Sequence, residues 1–347
     1  MINNTESTFT RVKNGRKYRS VRWARLVVIL GFIVSVAFSI TLVLGQSFTS
    51  PSDVLSVLLG HKLPGASFVV GQLRLPRAVI SLLVGMSFGM AGVAFQIMLR
   101  NPLASPDIIG VSAGATAAAV FAITMLHLDG ASVALFSISM GLLVALSIYG
   151  LSYRNGVTGT RLILIGIGVS AMIESITVYL LSQAQSWDRQ EAIRWLSGSV
   201  NSAQLSQAQP LLISLLLFGG FLLSRSRDME ALRMGDDTAQ ALGINVNMTR
   251  ITVMVSAVGL IAVGVAITGP IAFVAFLSGP IAMRLIKNKG ALLLPSGFIG
   301  ACLVLTGDYI GQFLLPSRYP VGVITGALGA PYLIYLIIRV NRKGGSL

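Results

Sequence analysis

Few side chains here could do chemistry, and their spacing limits what that chemistry is. The chain holds two histidines, His61 and His127, and a single cysteine, Cys302. Nothing clusters Cys and His at metal-ligand spacing, and one cysteine cannot form a disulfide within its own chain. No H-E-x-x-H or Walker A sequence occurs. The chain therefore does not bind ATP by a phosphate-cradling loop, and it lacks the zinc-hydrolase signature. What remains are acids and arginines in apolar surroundings. Glu174 stands in the middle of an apolar run, beside Ser170, Ser175 and Thr177. An ionisable group at that depth is functional by default, as a proton carrier in a transport path; the other reading is a protonated glutamate buried in a bundle. Asp308 sits near the end of another apolar run, where pairing or capping is the favoured role. Arg74 and Arg77, three apart in Leu73-Arg74-Leu75-Pro76-Arg77, suit either lipid headgroups or the carboxylates of a soluble partner.

The elements that must position these residues are apolar and long. Of 347 residues, 54% are hydrophobic and only 11% are charged, less than half the ~25% of a soluble domain. That composition excludes a soluble enzyme, a nucleic-acid binder and a disordered chain. Apolar runs recur at 26–44, 78–98, 108–126, 132–151, 162–182, 208–223, 251–268, 271–286, 292–310 and 321–338. A bilayer-spanning helix takes ~20 apolar residues, so the expectation is an all-α integral membrane protein with ten transmembrane helices. The run after the basic segment 1–25 exceeds the ~7–15 residues of a signal-peptide core and is read as a retained span. The run 271–286 is short, and Gly269-Pro270 and Gly279-Pro280 interrupt the region. A broken helix buried in protein is expected there. Of 26 Lys and Arg, 20 fall in the N-terminal tail and alternate loops, and 6 in the opposite loops. By the positive-inside rule both termini are cytoplasmic. The net charge of +14 thus marks topology and contact with anionic lipid, not nucleic acid. The division is a basic cytoplasmic tail at 1–25, a transmembrane domain at 26–340 and a short cytoplasmic tail at 341–347.

Between the spans, loop 224–250 is the most polar internal stretch. Leu232, Met234, Ala239, Leu242 and Ile244 are spaced like one face of a short helix. Asp236, Asp237 and Thr238 suit its N-cap and first turn, and Gly243 suits a left-handed C-cap. On these residues alone an interfacial loop helix and a docking helix for a cytoplasmic partner are equally good readings. Asn101-Pro102 and Ser105-Pro106 make a turn between two spans, and Pro106 and Asp107 can open the next helix. The outer loop 184–207 has room for a surface helix anchored by Trp187 and Trp195. The pairs Gly85/Gly89, Gly110/Gly114 and Gly322/Gly326 are G-x-x-x-G spacings that favour close helix packing.

The strings LRLPRAVISLLVG, RNPLASPDIIGVSAGA, DDTAQALGINV, GPIAFVAF and YPVGVITGALGAPYLIYLI closely resemble the FecCD family. These are membrane permeases of bacterial ABC importers for ferric siderophores, haem and vitamin B12. The likeness runs over about 26–340 and implies the ten-helix bundle of the vitamin B12/ferric siderophore importer permease type, in the bacterial cytoplasmic membrane. It implies a second permease subunit (homo- or heterodimer), two cytoplasmic ABC ATPase subunits and an extracytoplasmic siderophore-binding protein. ATP and magnesium would belong to the ATPases and iron to the chelate, leaving this chain without a cofactor, metal ligands or an enzymatic activity. The resemblance makes 224–250 the coupling loop, with Asp236, Asp237, Ala239, Leu242 and Gly243 as the residues picked for it. It makes Arg74 and Arg77 docking points for glutamates of the binding protein, and places Asn101 and Thr158 in the cytoplasmic gate region. Two positions depart from the family pattern. Gln312 stands where many members carry an arginine, so Arg318 nearby is the candidate replacement docking charge. Gly279-Pro280 stands where many members read Pro-His. The function implied is ATP-driven alternating-access import of an iron(III)–siderophore complex. The alternatives are haem or cobalamin within the family, and outside it a proton-coupled transporter using Glu174.

Overall fold

The computed structural model describes residues 8–106, 110–152, 159–287 and 290–342. Thr158, most of the loop 155–160 and Asp107 lie outside the described residues, as do the first seven and last five residues of the chain. The described residues form fifteen α-helices. They are α1 (Thr8–Val43), α2 (Pro51–Leu58), α3 (Leu75–Leu99), α4 (Val111–Thr124), α5 (Gly130–Ser152), α6 (Gly159–Gln183), α7 (Ser186–Leu196) and α8 (Ala208–Ser214). There follow α9 (Gly220–Ser224), α10 (Ser226–Leu232), α11 (Asp236–Ala241), α12 (Val246–Thr268), α13 (Val274–Ile286), α14 (Leu293–Tyr309) and α15 (Val321–Arg342). Wide π-helical turns precede α3 (Ser67–Arg74), join α8 to α9 (Leu215–Gly219) and follow α14 (Ile310–Leu314).

Among the described residues, seven helical segments are long and apolar enough to cross a membrane, and three apolar helices are shorter: 111–124, 274–286 and 321–336. The expectation of ten spans holds only if these three are counted. Backbone geometry shortens two of them. Gly110, with φ +69°, delays the start of α4, and Gly269 (φ +69°) and Phe273 (φ +64°) turn the chain before α13. Thirteen residues in α13 rise only about 20 Å, short of the ~30 Å hydrocarbon core. Such a helix must be sheathed in protein, and α13 is packed against α3 and α14.

The centre of the bundle is α3, in contact with α12, α13 and α14. Lipid tails are as apolar as leucine, so helices here associate by close packing rather than by the hydrophobic effect. Glycines supply that closeness. A Cβ at Gly89 would lie 2.1 Å from the Ser296 carbonyl oxygen, and one at Gly85 would lie 2.5 Å from that of Gly300. Three buried hydroxyls are satisfied within their own helices: Ser87 donates to the Leu83 carbonyl, Ser278 to that of Val274 and Thr325 to that of Val321.

Of the two Gly-Pro pairs expected to interrupt this region, Gly269-Pro270 does so, in the turn at 269–273, whereas α13 stays continuous through Gly279-Pro280. Pro280 has no N–H to give the Phe276 carbonyl one turn back, which would normally weaken a helix. Here Nε2 of Gln96, from α3, donates to that carbonyl at 3.0 Å. Gly279 makes the approach possible, since a Cβ there would fall 1.8 Å from Gln96 Oε1. A partner helix thus replaces the hydrogen bond that proline removes.

Candidate functional site

Two clusters of charge lie at opposite ends of α3. The first gathers around the 224–250 segment, which forms two short helices rather than the single one expected. Gly235, with φ +119°, separates α10 from α11. The end of α11 is a Schellman motif: the Gly243 N–H donates to the Gln240 carbonyl at 2.8 Å and the Ile244 N–H to that of Ala239 at 3.0 Å. Gly243 has φ +81° and open space around it, so its role is conformational, as a residue with a Cβ is strained there. Ile244 packs on a small core of Ala231, Leu232, Ala239 and Val246. The five expected coupling residues therefore face two ways. Ala239 is buried and Asp236 half-buried, while Asp237, Leu242 and Gly243 are exposed.

Asp236 opens α11, where a carboxylate is favoured by the helix dipole. Arg250 of α12 donates to it from Nη2, at 2.8 Å to Oδ2 and 3.0 Å to Oδ1. Arg100, which ends α3, ion-pairs with the same carboxylate. Arg100 also donates from Nε to the Leu232 carbonyl at the end of α10, at 2.9 Å. An open cleft of about 200 Å³ adjoins this cluster, lined by Arg100, Tyr149, Thr160, Leu162, Arg250 and Met254 among others. Asn101 holds the neighbouring turn, its Oδ1 accepting from the Leu103 N–H at 2.9 Å.

The second cluster lies at the other end of α3. Arg77 and Asp308 form a bidentate pair, Nε to Oδ2 at 2.9 Å and Nη2 to Oδ1 at 2.6 Å. Arg77 Nη1 also donates to Asn201 Oδ1 at 2.9 Å. Side-chain exposure is 18% for Arg77 and 10% for Asp308, so the pair is shielded. Asp308 thus takes the pairing role favoured from its position. Arg74 departs from the docking expectation. It is buried at 8% exposure, and it donates to the carbonyls of Leu42 (2.9 Å), Val43 (3.0 Å) and Ser47 (2.6 Å). The carbonyls at the end of α1 lack helical partners, and a guanidinium is well suited to cap them. Arg74 is therefore placed as a cap rather than as a free surface cation. Gln312 is buried, whereas Arg318 is exposed and forms no ion pair among the described residues.

Glu174 is neither buried nor held by the neighbouring hydroxyls. It lies on an exposed face of α6, and Ser175 and Thr177 donate to the Ala171 and Ile173 carbonyls of their own helix. A glutamate buried within the bundle of one chain is thus ruled out.

Sequence reasoning missed the partners. In the sequence, Arg100 and Arg250 are two of the 20 basic residues on the cytoplasmic side, and each is a charge at a span end near an acid-bearing loop. The signal for Gln96 is an amide inside the apolar run 78–98.

Residues 31–339 match the FecCD transport family. The chain is 38% identical over 296 residues to the ferric enterobactin transport system permease protein FepG of Escherichia coli K12, covering 84% of this chain and 89% of that one. It is 36% identical to the achromobactin transport system permease protein CbrC of Dickeya dadantii, covering 96% and 95%. It is 34% identical to the iron(3+)-hydroxamate import system permease protein FhuG of Bacillus subtilis, covering 89% and 95%. Its fold is similar to that of a metal-chelate type ABC transporter solved in an inward-facing conformation, with a TM-score of 0.82, 25% identity, and 91% and 99% of the two chains covered. With the family match spanning nearly all of the bundle just described, this chain belongs to the FecCD transport family.

Proposed function

We propose that this chain is the membrane permease of a bacterial ABC importer that carries an iron(III)–siderophore complex across the cytoplasmic membrane. The observation that carries the reading is the α10–α11 pair, fixed to the bundle on one side and offering Asp237, Leu242 and the Gly243 turn on the other. That is the form a docking element for a separate ATPase requires. Siderophore permeases that match along most of their length support the chemical class of the cargo.

In this reading two permease subunits flank a path, and two ATPases bind at the α10–α11 face. A siderophore-binding protein docks at the opposite end, with exposed Arg318 as its first contact. Both termini lie with α10–α11 on the cytoplasmic side, as the charge bias favours. ATP binding draws the ATPases together and moves the docked helices, so the path opens to one side and then the other. The two states must differ in ATP affinity for this to work. The chelate keeps its iron throughout, so the path needs no metal ligands of its own.

The test is uptake of radiolabelled iron as catecholate, hydroxamate and citrate chelates, in cells lacking the protein and in cells with it restored. Loss with one chelate, rescued on restoration, is the expected result. Loss confined to haem or cobalamin would move the cargo within the family. Uptake that survives a catalytically inactive ATPase and fails in Glu174→Gln would replace the reading with proton coupling.

A further inference from the structure

We propose that Asp236, bridging Arg100 and Arg250, is the latch through which movement of α10–α11 reaches α3 and α12. This rests on the importer reading and adds the residue that transmits the motion. Docking residues face outward, whereas Asp236 faces the bundle. Its one carboxylate is shared by guanidinium groups from two different spans, so displacing α11 pulls on both.

Three further observations fit a transmitting part rather than a passive strut. Arg100 ends α3 with φ 49° and ψ 35°, a left-handed conformation that glycine adopts without strain and other residues rarely do. Its side chain supplies the reason, since it reaches both the last turn of α10 (Leu232 carbonyl) and the first residue of α11. It therefore grips the Gly235 joint from both sides. Second, the cluster is half-exposed, with side-chain exposures of 40% for Arg100, 34% for Asp236 and 23% for Arg250. Water can replace a lost contact there, so the pairing can be exchanged during a cycle, which a dry pair resists. Third, Arg100 and Arg250 also line the cleft between α3, α5, α6 and α12. A shift of Asp236 therefore changes the walls of that cleft. Asp236 is a positioning residue and need touch neither ATP nor chelate.

The experiment uses the complete transporter in proteoliposomes, with binding protein, and measures iron chelate imported per ATP hydrolysed. Asp236→Asn removes the charge at constant size, and Arg250→Gln removes one partner. Each is expected to lower the ratio about tenfold, within the usual range for coupling between distant sites, while the ATPase still co-purifies in normal amount. Asp236→Glu, which keeps the charge, is expected to restore the ratio. A normal ratio in both neutral variants overturns the latch. So does loss of assembled complex with an unchanged ratio in what remains, which marks a structural strut. The parent reading has its own control in the same vesicles. Import that persists with an inactive ATPase overturns the importer, whereas a normal ratio in both neutral variants overturns only the latch.

Discussion

Helices α3 and α6 each have 25 residues and each is apolar, yet they live in opposite surroundings. The most apolar stretch of the α3 span is 83% buried, against 17% for α6. Glycines of α3 meet backbone of other helices, whereas Gly168 of α6 has nothing within 4 Å of where a Cβ would stand. On α6, Leu164, Ile167, Met172, Ile176 and Tyr179 are exposed, and Glu174 shares the open surface. Hydropathy alone does not separate a packed span from an open one; small residues at close approaches do. The carboxylate adds a second lesson. Lipid is a costly host for it, so the part of α6 that carries Glu174 suits protein or water, as the proposed second permease subunit and path would provide.

Substitutions that treat the two helices alike should break this comparison or sharpen it. Gly89→Leu is expected to have the largest effect, because its first added atom already collides with the Ser296 carbonyl. The protein should fail to accumulate in the membrane, while Gly168→Leu accumulates normally; immunoblots of membrane fractions decide. Arg77→Ala comes next. It strands the shielded Asp308 carboxylate, a change that costs about 3–5 kcal/mol for a buried pair, and thermal unfolding in detergent should shift accordingly. Removing both partners, as Arg77→Leu with Asp308→Leu, should recover much of that loss. Gly243→Val should cost about 1–2 kcal/mol of local stability through its left-handed φ, yet abolish uptake, because the outward turn it forms is the proposed ATPase contact. Glu174→Gln is expected to leave thermal stability within about 0.5 kcal/mol and ATP-driven uptake intact. A large loss of stability there would show that α6 is packed within its own chain after all.

Much of the frame was legible in the sequence. The apolar runs match the positions of the long and short apolar helices, and the acidic start and glycine end of α11 stand where the residue types placed them. The rest was set by contacts between distant segments. Arg74 and Arg77 read alike as a surface pair, but the chain end of α1 claims one and Asp308 the other, 231 residues away. Nothing local distinguishes them. The continuity of α13 through Pro280 was equally hidden, since it depends on an amide supplied by α3. Helix lengths failed for a related reason. Residue type sets apolarity, but the left-handed positions at Gly110 and Phe273 set where the helix starts.

The shortness of α13 bears on how the chain is made. Released into the bilayer alone, a 13-residue segment holding Pro280 and Arg284 is a poor candidate for independent insertion. It needs a seat, and α3 is synthesised well before it. Gly92 forms part of that seat, since a Cβ there would lie 1.8 Å from the Ala275 carbonyl oxygen. Biogenesis in this region is then cooperative across about 180 residues of chain, as the Gln96–Phe276 contact spans that separation. Larger side chains at Gly92 would act during synthesis, leaving a chain with the wrong topology rather than a finished permease with a faulty path.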